Sequence, residues 1–384
     1  MVNRVGHLGG AERIILTLTA GLPAFNWAPV IACPADGDLS AAANAQGTEV
    51  ASCRFDRMRI TADPRFLWNY PAAWIKGGRD VARHCRSYGI ELLHAHHPVS
   101  ALYSVRAARA LDIPLVLHVH EMLPVPRLYV AAMRVVLHRA AALICVSNVA
   151  RELALALGAA PERAHVVHNG VDARFFDARP HPRQLPGEGP HIGMFGVLEP
   201  HKGQHIFLQG AALIAERFPT ARFWVVGGAA LKDKEAYAQR LQQMAEAPPL
   251  QGRVALVGFQ ADIAPWLAAM DVVVQTSVKI ESFGMAAAEA LTLGRPVIAS
   301  NIGGLPDVVR HGETGLIIPP DNPAALAAAL GQLLSSPETR TRFGEKAVPY
   351  SRMRFAPEVF CRRTAEIYTD VLDNAMTGSR RQSG

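Results

Sequence analysis

A chain of 384 residues, half of them apolar and 19% charged, is too long for one ordinary core and too apolar to be disordered or fibrous. Its formal net charge of +6 is too small and too dispersed to argue for nucleic acid as a partner. The five cysteines (Cys33, Cys53, Cys85, Cys145, Cys361) are odd in number and lack CxxC spacing, so they read as free thiols of a reducing compartment rather than disulfides or zinc ligands.

The chain opens on residues 1–8, with no apolar signal core. Gly9-Gly10-Ala11-Glu12 then leads into a helical run over 13–20 that stops at Gly21. Short β-branched runs at 29–32, 91–95, 115–119, 142–146 and 164–168 alternate with Ala/Leu-rich helical stretches. A second series follows at 191–195, 222–226, 254–257, 271–275, 296–299 and 315–318. Alternation of this kind predicts an α/β protein whose parallel sheets are covered by helices on both faces. Between the series lies the stretch 177–190, whose four prolines and two glycines continue neither helix nor central strand. The predicted domains are therefore 1–176 and 177–356. The helix near 357–372 is expected to return to the first, and 377–384 to be a disordered tail. No apolar run reaches the roughly 20 residues of a membrane-spanning helix, so the expected location is cytoplasmic, or peripheral at the inner face of the membrane.

Ligands of open parallel sheets bind at the carboxyl ends of the strands, where a glycine lets backbone approach an anion and a helix N-terminus offers unpaired amides. Gly9-Gly10, Glu281-Ser282-Phe283-Gly284 and Gly303-Gly304 are junctions of that type. The last two fall in one domain and suit a diphosphate, although a glycine pair more often only makes a tight turn. Glu289 is a lone acid in an otherwise apolar helix, which is costly without a partner. Ribose hydroxyls would satisfy it, as would a surface pair with Lys279 or Arg295. Lys202 sits in the loop after the first strand of the second domain, where an ammonium could neutralise a departing phosphate; a solvated loop lysine is the plain alternative. His118 and His120 share one face of a strand. His120 at its end could meet a sugar hydroxyl, and the other could be a core residue. His94, His96 and His97 end another strand. These histidines could bind a metal, but no Asp or Cys completes a set, so the expectation is that no metal is bound. The segment from Arg57 to Arg86 mixes seven basic residues with Phe66, Trp68, Tyr70 and Trp74. It fits either a surface that rests on anionic lipid or an acidic acceptor, or a solvated face over core aromatics.

Taken in order, these residues resemble the glycosyltransferases of family 4, with the GT-B fold. The run from Glu281 to Glu289 with the segment after it is similar to that family's EX7E signature. Gly303-Gly304-Leu305-Pro306, Gly312 to Gly315, Lys202-Gly203, Asn169-Gly170 with Asp172, Gly9-Gly10 and Cys145-Val146-Ser147 also match, so the resemblance covers nearly the whole chain. It implies two Rossmann-like domains facing a cleft, and a retaining, metal-independent transfer of sugar from a UDP- or GDP-linked donor to a glycan or lipid-linked acceptor. No cofactor is implied beyond that substrate. By position, Glu281 would hold the transferred sugar, Glu289 the ribose, and Lys202 the diphosphate beside the amides of Phe283, Gly284 and Met285. Gly196 would lie near the donor, and the loop from Gly258 to Asp262 would border the base. Gly10 would approach the donor from the first domain, with His120 near the sugar.

Three departures stand out. Val197 replaces a common arginine, Thr276 a usual proline, and the first strand is short. Val197 and the short first strand give weight to a non-catalytic nucleotide-sugar binder, against which Glu281, Glu289 and Lys202 argue; within the enzyme class a nucleotide-sugar epimerase is a minor rival. A dinucleotide-dependent oxidoreductase is disfavoured, because no GxGxxG follows a first strand.

Overall fold

The computed structural model describes residues 1–55, 70–120, 127–177, 180–228, 235–279 and 281–382. The chain forms two compact units, Met1–Gly170 with Pro357–Gly384, and Val171–Ala356. The first crossing thus precedes the proline-rich stretch. Residues 171–176 belong to the second unit because the Val171 amide donates to the Phe355 carbonyl at 2.8 Å and Phe175 is buried there.

The first unit contains β1 (Val30–Cys33), β2 (Glu49–Ser52), β3 (Leu93–Ala95), β4 (Leu115–Val119), β5 (Ala142–Cys145) and β6 (Ala164–Val166). β1 pairs with β2, and β3 to β6 pair in chain order, all parallel. Val2 joins the two sets, bridging to both Ala32 and Ala95. Its amide donates to the His94 carbonyl at 2.7 Å, and that of Asn3 to Ala32 at 2.9 Å. The short opening segment therefore fills the place of a central strand, although only one residue forms bridges. β4 and β5 are buried at every position, as expected of strands covered on both faces. β2 escaped the sequence reading because a single one of its four residues is buried, too few to form a periodic signal.

The helix Gly10–Gly21 buries Ile14, Ile15 and Leu18. Against it lies the last helix, Pro357–Gln382, whose Cys361 thiol contacts the Thr17 carbonyl at 3.6 Å. Phe360 and Tyr368 of that helix are buried in the first unit. The helix continues over 377–382, where the sequence suggested a disordered tail. Once nucleated by packing, an α-helix propagates through residues that bury nothing. All five cysteines are free and buried.

The second unit holds β7 (His191–Phe195), β8 (Arg222–Val226), β9 (Val254–Gly258), β10 (Val272–Gln275), β11 (Val297–Ser300) and β12 (Gly315–Ile318). Their order is β12-β11-β10-β7-β8-β9, all parallel. Ile192, Met194, Phe223, Val272, Val274 and Ile298 from the sheet pack with Phe207, Leu326 and Leu330 from its helices. The chain runs outward from β7 to β9, then returns to β7's other side as β10. That reversal opens a crevice at the carboxyl ends of β7 and β10. Among the described residues no helix is long and apolar enough to cross a membrane.

Candidate active site

The loops after β7 and β10 meet at this reversal. After β7 the chain turns through the single-turn helix Pro200–Lys202 to Gly203, which starts the helix Gln204–Ile214. The Thr276 hydroxyl, just past β10, donates to the Gly203 carbonyl at 2.8 Å, and the Val278 amide to the His201 carbonyl at 2.9 Å. Gly203 has φ +80°, and a Cβ there would lie 1.9 Å from the Thr276 carbonyl oxygen. No other residue type fits that close approach. Thr276, a departure from the family pattern, thus ties down the lysine loop with a hydroxyl that proline lacks.

This seating puts the Lys202 ammonium 2.6 Å from a Glu281 carboxylate oxygen, with the side chains 22% and 11% exposed. The Ser277 hydroxyl donates to the same oxygen at 3.2 Å. Behind Glu281, the Gly304 amide donates to its carbonyl at 2.7 Å. Gly303, with φ +60°, passes so close that a Cβ would meet that carbonyl at 1.9 Å. The two glycine junctions of the second domain therefore meet at one glutamate.

Gly284, left-handed at φ 98°, starts the helix Met285–Thr292. Its first amides have no partner within the helix and carry partial positive charge. Met285 and Glu289 lie one turn apart on the same helix face, both half-buried, whereas Ala287, Ala288, Ala290 and Leu291 are buried. The Phe283 ring is 2% exposed and packs edge-on against Phe355, centroids 5.6 Å apart. Its side chain is therefore core, which leaves only its backbone for a ligand. Gly196 follows β7, and its amide donates to Val226. Gly258 ends β9, where its carbonyl accepts from Gly227 at 3.0 Å. Beside Gly258, Phe259 stands 76% exposed. The Val197 side chain brings no charge, but its carbonyl accepts from the buried Gln204 amide at 2.8 Å, which braces the lysine loop.

Gly10 and His120 belong to the first unit. Gly10 is the first, exposed residue of its helix. A Glu12 carboxylate oxygen accepts from the Gly9 amide at 3.0 Å, and the other accepts from Asn3 at 3.0 Å, so Glu12 fixes the loop to the opening strand. His120 is partly exposed just beyond β4, with Nε2 3.2 Å from His96 Nδ1. Its ring lies parallel to that of His118, with centroids 4.1 Å apart.

The second half of the chain, residues 176–348, matches the model described as glycosyl transferases group 1, and residues 8–175 match that of Glycosyltransferase Family 4. A D-inositol 3-phosphate glycosyltransferase of Thermomonospora curvata is 31% identical over 316 residues, covering 74% of this chain and 72% of the relative. The chain belongs to glycosyltransferase family 4. A second relative with the same name, from Streptomyces scabiei, is 31% identical, covering 73% of this chain and 68% of its own. The fold matches Anabaena HepE in complex with UDP and glucose (TM-score 0.80, 23% identity, 96% of this chain and 98% of that one). It also matches a glycosyltransferase from Rickettsia africae (TM-score 0.83, 20% identity, 97% and 98%). The protein is thus a glycosyltransferase with two Rossmann-like units of the GT-B type.

Sequence reasoning set the loop from Gly258 to Asp262 beside the base without naming Phe259 and gave Ser277 no role. An aromatic directly after a strand-ending glycine was the available signal for Phe259; Ser277 had none. Of the basic segment, residues 56–69, including Arg57, Arg59, Arg65, Phe66 and Trp68, lie outside the described residues. Trp74 donates to the Leu102 carbonyl at 2.7 Å and so docks on the neighbouring helix Pro98–Leu111.

Burial gives this glycosyltransferase a distinct acid response. It holds His94, His96 and His118 well below the ordinary imidazole value, with neighbouring imidazoles adding to the shift, and His120 at about 3. The folded protein therefore keeps them neutral while the unfolded chain takes up protons below about 6.5. Stability contributed by these rings is complete above that pH and is lost as pH falls below it. The loss is about 1.4 kcal/mol per fully buried histidine one pH unit down. In metal-free buffer, the melting temperature of the protein should hold between about pH 7 and 8 and fall steeply below about 6.5. A profile flat down to about pH 5 would contradict neutral burial.

Proposed function

We propose that this glycosyltransferase takes a sugar from a nucleoside diphosphate donor, UDP-linked before GDP-linked. It passes the sugar to a glycan or lipid-linked acceptor with retention of anomeric configuration and without a metal at the diphosphate. The observation that carries this reading is the Lys202–Glu281 pair at the reversal of strand order, beside the amino end of the helix Met285–Thr292. The UDP and glucose held by HepE of the same fold, and the glycosyltransferase names of the relatives, support it.

Lys202 and the first amides of that helix neutralise the diphosphate, which makes it a better leaving group. Glu281 accepts from hydroxyls of the sugar, and Glu289 from those of the ribose. Phe259 offers its exposed ring to the base, next to Gly258. Gly196, Gly10 and His120 take the donor-side roles that their family positions imply. The bond from the anomeric carbon to the diphosphate oxygen breaks as the acceptor oxygen bonds on the same face. The acceptor's proton passes to the departing phosphate oxygen, so the protein supplies positioning and charge rather than a nucleophile.

Calorimetric titration with UDP tests the donor site. Lys202→Ala should weaken binding at least about tenfold, and Glu289→Ala by a similar factor, because each removes a charged hydrogen-bonding partner. Unchanged affinity in both variants would sink the assignment. UDP binding without net transfer from any donor would instead favour the non-catalytic reading, and interconversion of donor sugars an epimerase.

Gly10 gives a cleaner test of catalysis. A Cβ there would have no atom within 4 Å, and alanine favours helix more than glycine. Gly10→Ala should therefore keep its melting temperature while kcat/KM falls about tenfold through the lost backbone approach. Wild-type kinetics in this variant would remove Gly10 from the donor site.

The acceptor side points to an acidic or membrane surface. Lys76, Arg79, Arg83 and Arg86 are exposed along one face of the helix Tyr70–Ser87, though Arg83 also meets Asp80 at 3.1 Å. A stripe of this kind attracts anionic headgroups, with about 1 kcal/mol per basic residue. The protein should co-sediment with vesicles rich in phosphatidylglycerol and be released by salt. Equal recovery with neutral vesicles would exclude this contact.

A further inference from the structure

The first unit holds a cluster of imidazoles that the transfer chemistry uses at one member only. His94 and His96 stand two residues apart at β3, and His118 and His120 two apart at β4. The strands are adjacent and parallel, in the register Leu93↔Leu115 and Ala95↔Leu117. Alternation therefore gathers all four rings on one sheet face. Their centroids are 4.1 Å apart for His94–His96, 5.0 Å for His96–His118 and 4.1 Å for His118–His120. Phe360 and Tyr368 of the last helix lie against them.

His94, His96 and His118 are 1%, 2% and 1% exposed. A neutral imidazole carries one N–H and one lone pair, and both want a partner when buried. Yet His94 Nε2, His96 Nε2 and both nitrogens of His118 have none. The two nitrogens that do have partners are the Nδ1 atoms of His94 and His96. His94 Nδ1 is 2.5 Å from the Tyr368 hydroxyl oxygen, and His96 Nδ1 is 3.2 Å from His120 Nε2. If each Nδ1–H donates along these contacts, both Nε2 atoms are left with free lone pairs. One ring nitrogen of each of the three residues lies within 4.8 Å of those of the other two.

We infer that His94, His96 and His118 bind one divalent transition-metal ion of the zinc class. Three imidazoles and a water make a familiar zinc set. The donor type selects zinc, cobalt, nickel or copper over magnesium or calcium. Tetrahedral bonds of ~2.1 Å need ligand nitrogens roughly 3.4 Å apart, so the rings close in by modest side-chain rotation. Tyr368 and His120 are positioning residues, because hydrogen bonds to the far ring nitrogen fix the tautomer and orientation of the ligands. In the sequence neither histidine pair is a complete ligand set, since no Asp or Cys accompanies it; the pairing of β3 with β4 supplies the third donor. None of the three proposed ligands is assigned a part in the transfer, and metal binding is measured without donor or acceptor, so failure of this inference and failure of the transfer reading are distinguishable.

The test uses the untagged full-length protein, stripped with chelator and titrated with Zn²⁺ against a chromophoric competitor, and with Co²⁺ by visible absorption. One equivalent should bind, and Co²⁺ should develop the intense bands of a low-coordinate nitrogen site. His118→Phe should abolish that equivalent, and Tyr368→Phe should weaken it about tenfold. The double variant His138→Gln/His181→Gln, at exposed positions, should leave it intact. Imidazole nitrogen resonances of the unsubstituted protein provide a readout that does not require a variant to fold. Zn²⁺ should move three buried histidine signals together. Absence of a bound equivalent in the unsubstituted protein overturns the inference. So does full binding in His118→Phe, or loss of binding in the surface double variant.

Discussion

Two hydrogen bonds between neighbouring loops carry the second unit's chemistry. The Thr276 hydroxyl and the Val278 amide hold the carbonyls of Gly203 and His201, and so hold the lysine loop at a fixed height over the sheet. An ammonium and a carboxylate largely removed from water are each costly alone, and the cost is offset only when geometry is good. Here the geometry comes from backbone, not from flexible side chains seeking each other. Strand order sets which loops are neighbours, Gly203 and Gly303 let them touch, and the pair follows. A side chain at either glycine would push apart loops whose contact seats the charges.

The departures from the family pattern take on meaning in this frame. Thr276 gives up the rigidity of proline and supplies the hydroxyl that binds the lysine loop. Val197 gives up an arginine's charge, while Gln204 ties its carbonyl and so stabilises the same loop. The short opening segment is compensated differently. Val2 bridges both neighbours, and Asn3 is tied through Glu12 to the Gly9 amide. One glutamate thus orders both the end of that segment and the glycine turn after it.

The legible parts of the sequence were those whose signal is local. Strands such as Leu115–Val119, His191–Phe195 and Arg222–Val226 announce themselves as apolar runs of the right length. β2 did not, because a partly exposed strand of four residues has no pattern to read. The Val171 boundary was hidden because the packing of Phe175 is a tertiary fact, whereas the prolines beyond it are a local one. In the candidate site, the glycine junctions and the lone Glu289 were visible as anomalies. The contact of Lys202 with Glu281 was not, since 79 residues separate them and only strand order makes them neighbours. Family resemblance assigned both to the donor, Glu281 to the sugar and Lys202 to the diphosphate, without pairing them. The histidines show the same division: each H-x-H string was plain, but their stacking depends on which strand pairs with which.

The donor crevice and the histidine cluster treat buried polar groups in opposite ways. In the second unit, Gln204 and Gln275 each donate to the carbonyl of a strand end or loop, at 2.8 and 2.9 Å, and the charged pair is mutually neutral. Everything polar named near that crevice is either satisfied or exposed, which suits a surface that exchanges partners with a ligand. In the first unit, His118 is 1% exposed and satisfies neither ring nitrogen. Three aliphatic side chains would fill the same space without that penalty, and folding alone gives no reason to keep imidazoles there. A covered sheet face that retains four of them is organised around something the rings bind.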